Sequence, residues 1–223
     1  MSKTYISFVQ ELILKKEIRK PIYVRELSKI VSFEYNLPIE KATAAVSVAL
    51  KRIMDSNMIP ELKFYQKGIY YRTVSTPFGN VGIDKEQLIQ DKYLYDDNGY
   101  ESGFDFLYKL GLSTQIPNKR VLITNKAGDC ARIDKKLNVV VRPPKIEINK
   151  ENKQYLKVLD VLDIFENAPI DVEEPYGVIR SYISQLGLEY SKLLAMANNY
   201  YNKNTILQLG KVAGGLMWNY ITI

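Results

Sequence analysis

The sequence predicts an α+β protein in two parts: three helices and a β-hairpin over residues 1–75, then a mixed domain over residues 82–223 with a small sheet and a helical C-terminal part. Three observations predict it. Apolar residues recur at the helical period through the first 56 residues and again after about residue 150, while alternating runs gather at 62–72 and 119–142. The stretch Val74 to Gly82 (VSTPFGNVG) concentrates turn-forming residues and breaks the periodicity. Charge changes at the same place, with 13 Lys/Arg against 7 Asp/Glu in residues 1–80 and 18 against 18 in residues 81–223, so the net +6 resides in the first third.

The elements of the first part follow in order. Tyr5, Ile6, Val9, Leu12 and Ile13 give a first helix one apolar face, and Pro21 follows its end. Val24, Leu27, Ile30 and Val31 line one side of a second helix, with Arg25 and Lys29 outside, and Ser32 to Asn36 are expected as a connection. Pro38 suits the first turn of a third helix running to about Ser56. Its inward stripe is Ile39, Ala42, Val46, Ala49 and Ile53, and the remaining face is basic and small. Alternation from Leu62 to Arg72 around Gln66-Lys67-Gly68 reads as a hairpin. Three helices followed by a hairpin with a basic tip is the order of a winged helix-turn-helix.

In the second part, residues 83–94 and 102–111 read as helices, the latter stopped by Gly111. Short strands are expected at 119–125, 130–134 and 138–142, the last ended by Pro143 and Pro144. Helices are expected at 151–165, 176–186, 191–200 and 205–218.

Composition narrows the chemistry. The chain has no histidine and one cysteine, Cys130, so the common zinc sets, internal disulfides and His-dependent nucleophile arrangements cannot be assembled. No catalytic residue, metal site or cofactor is expected. The N-terminal stretch is interrupted by Glu11 and reads as an amphipathic helix, not a signal peptide, and with no long apolar run the expectation is a cytoplasmic protein without membrane contact.

A basic, asymmetric charge map points to nucleic acid, because clustered Lys and Arg release counterions condensed on phosphate. The expected contacts with double-stranded DNA are Lys41, Thr43, Ala44, Ser47, Lys51 and Arg52 on the third helix, Lys63 and Lys67 on the hairpin, and Arg25 on the second helix. Small side chains at Ala44 and Ser47 let the helix axis approach a groove, and Lys41, Thr43 and Ser47 can reach base edges.

The segment GYESGFDFLYKLGLSTQIPNKRVLITN (Gly99 to Asn125) resembles the AbiEi-type antitoxins, transcriptional regulators of bacterial abortive-infection toxin-antitoxin operons. Gly99, Tyr100, Ser102, Gly103, Leu110, Gly111, Leu112, Thr114, Gln115 and Pro117 carry the pattern, and Asn198 to Leu216 is similar to the family's closing helices. The resemblance implies an N-terminal winged helix that represses the protein's own operon promoter. It also implies a C-terminal domain that counters a co-encoded nucleotidyltransferase-like toxin without a stable complex. Most motif residues read as structural, with Ser113-Thr114-Gln115 the candidate contact surface.

Two rival classes remain at this stage. One is a metal-dependent nuclease, for which Asp134 and Glu151-Asn152-Lys153 imitate an Asp then Glu-x-Lys site. The other is a protein–protein interaction module without DNA binding, suggested by 17 tyrosines. A stand-alone winged-helix regulator is the third alternative.

Overall fold

The computed structural model describes residues 4–221, with side-chain surroundings through residue 214. The chain is mixed α+β with small sheets and C-terminal helices, and it divides into two compact units between Leu88 and Ile89.

The first unit contains α1 (Tyr5–Leu14), β1 (Ile22–Tyr23), α2 (Val24–Glu34), α3 (Ile39–Asp55), β2 (Leu62–Gln66) and β3 (Ile69–Arg72). Thr4 caps α1 by accepting from Ser7 N. Val9 and Ile13 of α1, Leu27 and Val31 of α2, and Ala42, Val46, Ala49, Leu50 and Ile53 of α3 close one core with Ile22, Ile59 and Leu62. Three expected inward residues lie outside it, Tyr5 at 41%, Ile30 at 41% and Ile39 at 43% exposure. Ser28 and Leu50 take the inward places instead. Ser28 can do so because its hydroxyl donates to Val24 O at 2.7 Å, leaving no unsatisfied donor in the core. α2 also runs three residues into the expected connection, through Glu34. The turn to α3 is correspondingly tight, with Asn36 at φ 48° and Leu37 N donating to Ser32 O.

The sheet order is β1-β3-β2, all antiparallel, with Ile22 opposite Tyr70 and Leu62 opposite Arg72. The register shifts between Phe64 and Gln66, so Tyr65 is the extra residue of a bulge. Gln66 therefore pairs with Ile69, and the turn shortens to Lys67-Gly68, with Gly68 at φ 79°.

Residues 74–82, expected as a linker, instead form a second small hairpin of β4 (Ser75–Thr76) and β5 (Gly79–Asn80). Thr73 Oγ1 donates to Val81 O (2.7 Å) and Arg19 Nε to Gly82 O (3.2 Å). Asp84 N donates to Arg19 O (2.9 Å), and Lys20 pairs with the Asp84 carboxylate (3.0 Å). These bonds tie residues 81–84 to the first unit, and the two compact units divide after Leu88, beyond the expected end at residue 75. Redrawn there, the first unit holds 14 Lys/Arg against 9 Asp/Glu and the second 17 against 16. The charge asymmetry survives the shift.

The division falls inside α4 (Lys85–Ile89), which runs on as a π turn (Gln90–Leu94) and a 3-10 turn (Tyr95–Asp97). The second unit continues with β6 (Gly99–Ser102), α5 (Gly103–Lys109), β7 (Arg120–Thr124), β8 (Arg132–Asp134) and β9 (Val139–Arg142). Then come α6 (Lys153–Ile164), α7 (Pro175–Gln185), α8 (Tyr190–Tyr200) and α9 (Lys203–Ile221). The sheet order is β6-β7-β9-β8, parallel only between β7 and β9. Phe106, Leu107 and Leu112 pack with Leu159 and Leu162 of α6, Ile179 and Ile183 of α7, Leu193 of α8 and Val212 of α9. The side chains of Leu216 and Trp218, expected in the closing helix, lie outside the described residues.

Candidate nucleic-acid interface

The core stripe of α3 fixes what its opposite face presents. At about 100° per residue, burial of Ala42, Val46, Ala49 and Ile53 turns Lys41, Ala44, Ser47, Lys51 and Arg52 outward, and all five are exposed. Thr43 is exposed on the flank of the same arc, and Glu40 and Asp55 stand at its two ends. Val48, which sequence reasoning did not single out, is exposed among them. Two hydroxyls of this face are already engaged: Thr43 Oγ1 donates to Ile39 O and Ser47 Oγ to Thr43 O, each at 2.8 Å.

The hairpin is held to α2 by a backbone bond. Val24 N, at the start of α2, donates to Gly68 O of the β2–β3 turn at 3.0 Å. This satisfies one of the orphan donors of the helix end, where no side-chain cap hydrogen bond is made. It also brings the exposed Lys67 of the turn and the exposed Arg25 of the first turn of α2 to one place. Lys63 is half-buried on β2.

The cations of this unit sort into two kinds. Arg72 is structural: it pairs with Glu61 at 2.9 Å and donates to Leu14 O (2.9 Å) and Lys16 O (3.0 Å), joining β3 to the end of α1. A backbone hydrogen bond, together with Arg72, holds the Glu61 carboxyl below the usual range. Lys15, Lys16 and Lys20 pair with Glu11, Glu26 and Asp84. Among the described residues, no ion pair engages Arg25, Lys41, Lys51, Arg52, Lys63 or Lys67.

The motif residues of the second unit are distributed through its framework. Gly99 opens β6 where a Cβ would meet Tyr93 O at 2.5 Å and Ile123 O at 2.7 Å, so no side chain fits. Tyr100 is buried and donates to Asp160 Oδ2 at 2.8 Å, while Tyr201 donates to Asp160 Oδ1 at 2.7 Å. Burial pushes the Asp160 carboxyl up despite these two donors, and both phenols are pushed up by burial and by the adjacent carboxylate. This link from β6 to the tail at Tyr201 was not legible in the sequence, where Asp160 is one of several polar residues in an amphipathic helix.

Ser102 is buried at the start of α5, and Gly103, at φ 71°, faces Val121. Leu110 is half-buried, Gly111 turns the chain at φ 72°, and Leu112 is fully buried. In the candidate contact loop, Ser113 is buried and its Oγ accepts from Gln115 N. Thr114 donates through both N (2.8 Å) and Oγ1 (2.6 Å) to Asp171 Oδ2. Gln115 is exposed and Pro117 half-buried. The loop is thus pinned at Ser113 and Thr114, with Gln115 and Ile116 turned outward.

Asp134, the first carboxylate of the nuclease-like pattern, receives Lys92 Nζ at 2.7 Å, the Tyr93 hydroxyl at 2.8 Å and two backbone donors, from Lys136 and Leu137. Lys153 pairs instead with Asp97 at 2.9 Å, and Glu151 is exposed. Among the described residues, no three acidic or cysteine side chains group as metal ligands would, and no helix is long and apolar enough to cross a membrane.

No protein-family model matches the chain, and no curated protein matches it.

Proposed function

We propose that the first unit is a winged helix-turn-helix that binds double-stranded DNA, with α3 as the recognition helix and the β2–β3 turn as the wing. The observation that carries this reading is the sorting of cations. Those that hold the fold, Arg72 among them, have acidic or carbonyl partners, whereas Lys41, Lys51 and Arg52 on the outer face of α3, Arg25 at the start of α2, and Lys63 and Lys67 on the hairpin have no ion-pair partner among the described residues. Cations left without partners gain most from a polyphosphate, which supplies the missing charge and releases counterions. Exposed small residues at Ala44 and Ser47 permit close approach to a groove.

The wider reading is that of a cytoplasmic antitoxin in a toxin-antitoxin operon. It would repress its own promoter through the first unit and counter a nucleotidyltransferase-like toxin through the second, acting as a binding protein without cofactor or catalysis. The resemblance over Gly99 to Asn125 and Asn198 to Leu216 supports this half of the proposal.

Two assays test it together. A gel shift of the chain's own upstream DNA is measured across salt, where each phosphate neutralised adds about 0.9 to the slope of log K against log salt. A growth assay with the downstream toxin induced is run in parallel. The double variant Ser47→Glu with Lys51→Glu sets like charge against phosphate without touching the core, so it abolishes the shift and leaves protection intact when expressed from an independent promoter. Absence of any shift at low salt overturns the DNA reading. Loss of protection in the folded double variant overturns the division of labour.

A further inference from the structure

Val48 stands out on the outer face of α3. It is a β-branched side chain, 51% exposed, one turn beyond Ala44 on an arc whose other side chains are charged or carry hydroxyls. An isolated exposed valine needs no explanation of its own. Here, however, Lys41, Lys51 and Arg52 flank it without ion-pair partners among the described residues. The charge complementarity of the face is with a polyanion, so an apolar side chain within it meets whatever apolar group that polyanion displays. In the major groove of DNA that group is the C5 methyl of thymine.

The hydroxyls of the same face are compatible with that base pair. Thr43 and Ser47 donate their protons to the carbonyls of Ile39 and Thr43, so outward they offer only lone pairs. Acceptors match the amino groups of adenine and of cytosine alike, so the hydroxyls admit either pair and the methyl contacts make the choice, whereas the N7 and O6 atoms of guanine require donors. α3 contains no Asn or Gln, and Lys51 and Arg52 lie near its C-terminal end, away from the N-terminal half that a recognition helix turns to base edges, which leaves Lys41 as the one cation of that half.

We infer that α3 reads A·T pairs through thymine methyls set against Ala44 and Val48, with Thr43 and Ser47 accepting from the adenine amino groups, while Lys51 and Arg52 hold phosphates. This specificity rests on the DNA-binding reading of the first unit.

The test uses the full chain and short duplexes that it selects from a randomised library at low salt. The selected duplexes are resynthesised with deoxyuridine in place of thymidine, which removes the methyl and leaves pairing and phosphate charge unchanged. Each contacted methyl removed weakens binding about fourfold, so two contacts give about fifteenfold. Val48→Ala, at an exposed position that does not support the core, reduces the thymidine-to-deoxyuridine ratio and leaves the salt slope unchanged. Equal affinity for thymidine and deoxyuridine duplexes overturns the thymine readout while leaving DNA binding standing. Enrichment of G·C-rich duplexes overturns it as well. Retention of no duplex at low salt overturns the DNA reading and this inference with it.

Discussion

The outer face of α3 and the motif region from Gly99 to Arg120 both carry charge, but they use it in opposite ways. Around the motif, Lys109 and Arg120 converge on Glu101, and Lys109 also reaches Asp105 at 3.2 Å. Nearby, Lys92 is engaged by Asp134, Lys145 by Asp163 and Lys153 by Asp97. On α3, Lys41, Lys51 and Arg52 have no such partners among the described residues. The first unit's surplus is therefore open to an outside anion, whereas the charge beside the motif works within the fold. Net charge by itself does not distinguish these cases. Partner geometry does.

The sharpest test of that contrast adds a charge where the second unit has no partner to offer. Leu112→Asp buries a carboxylate in the cluster with Leu159 and Leu162, at a cost of about 4 kcal/mol. Hydrogen exchange is expected to lose protection at β7 and α6 while the amides of α3 keep theirs. A stable second unit in this variant would break the comparison.

Next in size is Arg72→Ala, expected to destabilise the first unit by about 2–3 kcal/mol because it removes charge-assisted bonds to Glu61 and to two carbonyls. The urea midpoint measures it. If stability held while DNA affinity fell, Arg72 would belong with the open cations.

Asp134→Asn should show its effect through pH. Burial favours the neutral acid, but hydrogen bonds from Lys92, Tyr93 and Leu137 outweigh it and hold the carboxyl at about 2. A folded-state value below the unfolded one stabilises at pH above the ordinary value of 3.8, and that contribution is lost as pH falls toward about 2. The variant is thus less stable than the parent by about 1–2 kcal/mol at neutral pH, and the gap closes in acid. A gap that stayed constant across that window would show that the carboxylate's charge is not what matters.

The smallest effect on folding is expected of Lys67→Ala, under about 0.5 kcal/mol, since the side chain stands exposed at the turn. Its signature is a salt slope reduced by about 0.9, with affinity weakened alike for all sequences. A stability change without a slope change would reassign Lys67 to the fold.

Much of this contrast was legible in the sequence where a period could act. The third helix, expected from Pro38 to about Ser56, spans Ile39–Asp55, and the hairpin and the three strands of the 119–142 region lie where alternation put them. What was not legible lacks a period. β1 has two residues, β4 and β5 two each, and their existence depends on partners elsewhere in the chain. β6 was met only as the opening of a motif, because Gly99 carries no β-propensity and is there for the space it leaves. The side of a helix that faces the core was read correctly at Ala42, Val46 and Ile53 and missed at Ile39 and Leu50, since a neighbouring helix and not the sequence decides how wide the buried stripe is. The same limit applies to charge: spacing counted Arg72 as one cation among thirteen, and only its carbonyl and carboxylate partners showed otherwise.

The bonds that join Thr73 to Val81, Arg19 to Gly82 and Lys20 to Asp84 bear on how such a protein can be rearranged. A recombination breakpoint at residue 78 would look harmless from composition, since it falls among Pro, Phe and Gly. It would strip Thr73, Arg19 and Lys20 of those partners and leave Arg19 at φ 71° without the Asp84 amide that binds its carbonyl. The transferable cassette ends at Leu88. A chimera grafting residues 1–88 onto an unrelated effector should melt cooperatively, and one grafting residues 1–78 should melt at lower temperature with a broader transition.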